Sequence, residues 1–138
     1  MLCYKNHRFY AHNASFKIPD GYFIDTEPGM EADECIHLWG PNGDYSVEVR
    51  MHTDSANAEA SLESVLNGMR PTILKPVSPI SINNMTGYEA TYRHTRNQYY
   101  ELWLDIDEGV TMCIVILTSK DILQVDSAAV TAAIDPQQ

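Results

Sequence analysis

Three strand-like runs lie close together between residues 88 and 118, and they constrain the fold more than any other part of the sequence. The runs 88–95, 99–106 and 111–118 are rich in β-branched and aromatic residues, and only short polar connections separate them. Connections this short join antiparallel neighbours, because a parallel pair needs a crossover of about a dozen residues or more. The block therefore predicts an antiparallel sheet.

The second and third runs differ in which of their faces are apolar. In 99–106 apolar side chains fill one face, and aromatic and acidic side chains alternate on the other: Tyr99, Glu101, Trp103 and Asp105. In 111–118 both faces are apolar from Met112 to Leu117. A strand that is apolar on both faces is typical of the centre of a sheet that is covered on both sides.

Two segments change to helical spacing. Residues 55–69 repeat apolar side chains at i, i+3 and i+4, with Asp54 or Ser55 as candidate N-cap, and residues 121–135 form a second apolar stripe before Pro136. Upstream, the turn at 42–43 joins two strand-like runs as a hairpin. We therefore predict a single α+β domain over 1–138, with an antiparallel sheet of about six to seven strands and helices packed on both faces.

The order of these elements resembles the Mog1/PsbP-like fold, a group that includes many small bacterial proteins of unknown function. The likeness is carried by FKIPDGY (residues 16–22), YSVEVRM (45–51), the SLESVLNGM helix (61–69) and the three-strand block that follows. It covers nearly the whole chain as a pattern of elements. The resemblance implies a non-catalytic binding protein, since the best-known members of the group act in this way.

Acidic residues are concentrated in one part of the chain. The formal net charge is −10, and eleven acids stand against the single base Arg50 between Asp20 and Glu63, whereas residues 64–100 carry +3. An acidic field repels phosphate backbones and anionic lipid, so we expect neither a nucleic-acid nor a membrane partner. The longest apolar run has six residues, and the N-terminus does not resemble a secretory signal. These features predict a cytoplasmic protein.

Motifs that would indicate catalysis or metal binding are missing from the sequence. The five histidines show neither an HExxH pattern nor zinc spacing, and the serines show no GxSxG elbow. The cysteines Cys3, Cys35 and Cys113 lack a CxxC motif, which favours free buried thiols, with one Cys3–Cys35 bridge as the alternative. We therefore expect no catalytic residues, no metal site, no cofactor and no enzymatic activity.

Two surfaces are candidates for binding another protein. The first is the strand face formed by Tyr99, Glu101, Trp103 and Asp105, because aromatic residues beside carboxylates suit a basic or amphipathic partner. That face is core instead if a helix covers it. The second is the acidic segment that contains Glu31, Asp33 and Glu34. The leading hypothesis is a small acidic binding domain, and the alternatives are a small-ligand or metal-binding accessory protein and a hydrolase.

Overall fold

The computed structural model describes residues 3–5, 8–11, 14–25, 35–53 and 56–136. Within these ranges the chain forms mainly strands, with two α helices and a 3₁₀ turn at Ile122–Gln124. In chain order the elements are β1 (Cys3–Lys5), β2 (Arg8–Ala11), β3 (Ala14–Lys17), β4 (Phe23–Ile24), β5 (Cys35–Trp39), β6 (Tyr45–Thr53), α1 (Ala58–Met69), β7 (Thr72–Ile82), β8 (Met85–His94), β9 (Asn97–Asp107), β10 (Val110–Thr118), α2 (Ser127–Thr131) and β11 (Ile134–Pro136).

The strands form two antiparallel sheets. The large sheet has the order β4-β5-β6-β10-β9-β8-β7, and the small sheet has the order β1-β2-β3-β11. The antiparallel sheet predicted from the short connections is therefore confirmed. Strand β10 lies in the middle of the large sheet, where Ile114 is opposite Val49 on one side and Leu102 on the other.

The large sheet is covered by a helix on one face only, so the predicted α+β fold with helices on both faces is wrong. Helix α1 packs on β8 and β9. The opposite face packs against the small sheet, and Phe9, Phe16 and Ile134 are buried in the same core as Leu102 and Ile114. The protein is mostly β because a second sheet occupies the place where a second packed helix was expected.

The C-terminal segment explains much of this difference. The predicted helix over 121–135 is replaced by the 3₁₀ turn, the five-residue helix α2 and strand β11. Ile134 pairs with Phe16 of β3 and is fully buried. The apolar stripe was compatible with a helix, but β3 supplies backbone partners that the local sequence does not reveal.

Helix α1 confirms the first predicted helix, which ends at Met69 as predicted but begins three residues later than predicted. The helix begins at Ala58 after the N-cap Asn57, whose side chain accepts a hydrogen bond from the Ala60 amide. The predicted caps Asp54 and Ser55 lie outside the described residues. The helix ends before Arg70, which takes the left-handed conformation at φ 53°.

Pro76 and Pro79 predict that any strand over 73–82 is an edge strand or is broken, and β7 is an edge strand. Among the strands that the structure describes it pairs with β8 alone, and its register shifts between Ile73 and Lys75 and again between Lys75 and Ser78. Proline cannot donate to a ladder, so Pro76 and Pro79 are tolerated only in such a position. No helix in the described part of the chain is long and apolar enough to cross a membrane.

Candidate functional site

Helix α1 covers the strand face that the sequence singled out for partner binding. Glu101 is only 4% exposed to solvent and Trp103 only 7%. Both lie beneath the helix, and Trp103 packs in one cluster with Leu62 and Leu66. The exposed surface that the prediction needs is therefore absent at Glu101 and Trp103.

The buried carboxylate of Glu101 is held by two neutral donors. The Tyr92 hydroxyl donates to Oε1 at 2.8 Å, and the Trp103 indole Nε1 donates to Oε2 at 2.6 Å. Burial, and then the nearby charge of Glu101, raise the pKa of Tyr92, so its phenol stays protonated and remains a donor. This arrangement satisfies a buried carboxylate, and it ties β8 to β9 beneath the helix.

The two remaining residues of that predicted surface also have local partners. Asp105 accepts a hydrogen bond from the Ala58 amide at 2.9 Å, so its carboxylate occupies the positive N-terminus of α1. Tyr99 is partly buried and its ring stacks on Tyr92, with the centroids 5.0 Å apart. The fold thus brings all four side chains to one face of β9, as the alternation predicts, and the helix covers that face. Glu31, Asp33 and Glu34 lie outside the described residues.

The potential metal ligands do not come together in the described ranges. No group of three or more His, Cys, Asp or Glu side chains in these ranges could hold a metal ion. Cys113 is a buried, reduced cysteine in the same cluster as Trp103. The His52 ring stacks on the Trp103 indole with the centroids 4.9 Å apart, and its buried Nε2 has no hydrogen-bond partner among the residues that the structure describes.

An open groove lies between α1 and the edge strand β7. It has a volume of about 650 Å³ and is lined mainly by apolar side chains of both elements, together with polar residues of the helix: Glu63, Leu66, Asn67, Arg70, Pro71, Ile73, Pro76 and Val77. Ile73 is 45% exposed, and its neighbour Leu74 is 38% exposed. Large apolar side chains left this open beside a groove are typical of an interaction site.

Three exposed arginines belong to this groove or to the strand and turn that follow β7 in the chain. Arg70 lines the groove, Arg93 is opposite Thr72 in the β7–β8 register, and Arg96 lies in the turn that follows β8. All three are exposed, and none takes part in an ion pair within the described part of the chain. This groove was missed at the sequence level. The prolines that mark an edge strand and the +3 charge of residues 64–100 were the signals that could have found it.

A second polar cluster lies on the part of the large sheet formed by β5 and β6. One carboxylate oxygen of Glu48 is hydrogen-bonded to His37 Nε2 at 2.6 Å, and the other accepts a hydrogen bond from Arg50 Nε. Partial burial by itself raises the pKa of Glu48, but the hydrogen bonds from Arg50 and His37 outweigh it, so the pKa lies below the ordinary 4.5. These three groups form a solvated hydrogen-bond network that contains the Glu48–Arg50 ion pair.

This lowered pKa predicts a pH-dependent stabilisation. A carboxyl group whose pKa is lower in the folded state stabilises the fold above its unfolded pKa, and the stabilisation is lost as the pH falls through the folded pKa. We therefore expect Glu48→Gln to lower the free energy of unfolding at about pH 7 and to have little effect at about pH 2.5. Urea denaturation at both pH values measures the difference. The matched control is Glu63→Gln at an exposed position, and an equal cost of Glu48→Gln at both pH values contradicts the prediction.

No protein-family model matches this chain, and no curated protein sequence matches it. The resemblance to the Mog1/PsbP-like group therefore stays a prediction.

Proposed function

We propose that the protein is a non-enzymatic binding domain that holds a protein partner in the groove between α1 and β7. The observation that carries this proposal is the exposed apolar side chain of Ile73 in a groove that is also lined by the exposed Arg70. Binding there removes apolar surface from water, which is the main source of affinity in most protein complexes.

The charges around the groove favour a partner that combines apolar and acidic side chains. Arg70 lines the groove and Arg96 is exposed in the turn after β8, in a chain whose formal net charge is −10. Carboxylates of a partner would meet guanidinium groups that no described carboxylate neutralises, and such complementarity raises both association rate and specificity. The structure thus favours an acidic partner over the basic one that net charge alone predicts.

The prolines of β7 favour docking through side chains over addition of a strand. Pro76 and Pro79 offer no amide hydrogen to a neighbouring chain, which blunts the open edge of the sheet. The apolar walls formed by Leu66, Ile73 and Val77 remain available to anchor side chains. The partner segment that fits this groove carries apolar anchors with carboxylates near them.

Titration of the isotope-labelled protein with two synthetic peptides tests this proposal by NMR. One peptide alternates leucine with glutamate, and the other alternates leucine with lysine at the same length. We expect saturable shifts of amides in α1 and β7 with the acidic peptide only. The variant Arg70→Glu should weaken this binding at least about tenfold, which corresponds to about 1.4 kcal/mol.

The matched control is Lys17→Glu, which reverses an exposed cation on the small sheet and should leave the affinity unchanged. Ile73→Asp tests the apolar part of the groove and should also weaken binding at least about tenfold. Equal binding of both peptides, or shifts that lie outside the groove, would contradict the proposal.

A further inference from the structure

A small cavity lies on the face of the large sheet opposite α1. Its volume is about 140 Å³, and strands β7, β8 and β9 contribute Lys75, Glu89 and Tyr100 to it. The segment after β10 closes one side with Ile122 and Val125. Since one water molecule takes about 30 Å³ of liquid volume, the cavity has room for a molecule of about amino-acid size.

Glu89 presents a carboxylate that is held in place on one side. The Tyr100 hydroxyl donates to its Oε2 at 2.5 Å, and Tyr100 is 7% exposed. Burial, and then the hydrogen bond to Glu89, raise the pKa of this tyrosine, so it remains a donor and fixes the carboxylate. No described group donates to the second oxygen, Oε1, and it can accept from a ligand.

Lys75 brings the opposite charge to the same cavity. Lys75 is opposite Thr91 in the β7–β8 register, and Thr91 is two positions from Glu89 along β8. The backbone positions of Lys75 and Glu89 are therefore offset by about 7 Å along the strand direction. Both line the cavity, yet in the described structure Lys75 and Glu89 do not form an ion pair. A carboxylate and an ammonium that share a cavity without neutralising each other are complementary to a ligand with both charges.

The irregular pairing of β7 makes room for this cavity. The register shift between Lys75 and Ser78 leaves Pro76 out of the ladder, and Pro76 borders the cavity. Irregularities of this kind redirect side chains and are frequent beside functional sites.

We propose that this cavity binds a small zwitterionic molecule of the amino-acid class. The ammonium group of the ligand bonds the Glu89 carboxylate, and its carboxylate group pairs with the Lys75 ammonium. The apolar side chains of Ile122 and Val125 contact the carbon chain between them. The cavity and the α1–β7 groove lie on opposite faces of the sheet, and both are bordered by Pro76 of the edge strand β7.

Titration with ω-amino acids, from glycine to 6-aminohexanoate, tests the proposal by NMR on the full chain. We expect saturable shifts at residues 75–78, 89–91 and 122–127 with at least one member of the series. Butylamine and butyrate each carry one of the two charges, and both should bind at least about tenfold more weakly than the best zwitterion.

Two variants separate the charges of the site. Glu89→Gln retains an acceptor for Tyr100, and Lys75→Met retains the length of the side chain, so both should fold normally. Each should lower the affinity for the best zwitterion at least about tenfold, whereas Lys17→Met should leave that affinity unchanged. The proposal is overturned if no ω-amino acid gives saturable shifts at millimolar concentration. It is also overturned if butylamine or butyrate binds as tightly as the zwitterion.

Discussion

Trp103→Ala is expected to lower the free energy of unfolding by about 3–5 kcal/mol, as truncation of a buried tryptophan usually does. Trp103 is 7% exposed beneath α1, and its loss would leave a cavity between the helix and β9. The change also removes the indole donor from Glu101 Oε2, which leaves a buried carboxylate oxygen without this partner. Urea denaturation followed by circular dichroism measures the loss.

Trp103→Phe separates the two contributions. Phenylalanine keeps most of the apolar contact but has no indole N–H, so a loss of about 1–3 kcal/mol is expected from the unsatisfied carboxylate alone. The control is Trp39→Ala, because Trp39 is only partly buried and its Nε1 bonds Asp25 in a solvent-exposed contact. If Trp103→Ala and Trp39→Ala lower the free energy of unfolding equally, α1 does not shield Trp103 from solvent.

Gly87→Ala is expected to lower the free energy of unfolding by about 3 kcal/mol, which is the upper part of the range for overpacking a core. A Cβ atom at this position would lie 2.2 Å from the carbonyl oxygen of Trp103 and 2.7 Å from Leu104 Cδ2. The first of these neighbours is backbone, so β8 and β9 would have to separate. Gly87 is buried and lies opposite Leu104 of β9, so the added methyl group has no open space to enter.

The same substitution at Gly68 serves as the matched control. Gly68 lies in α1, and a Cβ atom there would meet nothing within 4 Å. Alanine has the higher helix propensity, so Gly68→Ala should raise the free energy of unfolding by about 0.5–1 kcal/mol. The two variants should thus change the midpoint of urea denaturation in opposite directions. A neutral Gly87→Ala would show that β8 and β9 are not packed as tightly as the structure indicates.

The candidate sites were only partly predictable. The alternation in 99–106 correctly placed Glu101 and Trp103 on one face of one strand, but it carried no information on what covers that face. The α1–β7 groove is lined by Leu66 of the helix and Ile73 of the edge strand. Local sequence patterns predict each of these elements, but they do not predict that the two lie side by side. The cavity joins Glu89 to Ile122, which are separated by two strands in the sequence.

Local patterns in the sequence were sufficient for the antiparallel block, the edge position of β7 and helix α1, because period-two alternation, short connections, prolines and helical spacing act over a few residues. The tertiary structure alone decided that α1 covers Glu101 and Trp103 and that the small sheet covers the opposite face. It also decided that the C-terminal apolar stripe becomes strand β11 against β3. An apolar face must be buried, but the choice of the segment that buries it depends on packing between parts of the chain that are distant in sequence.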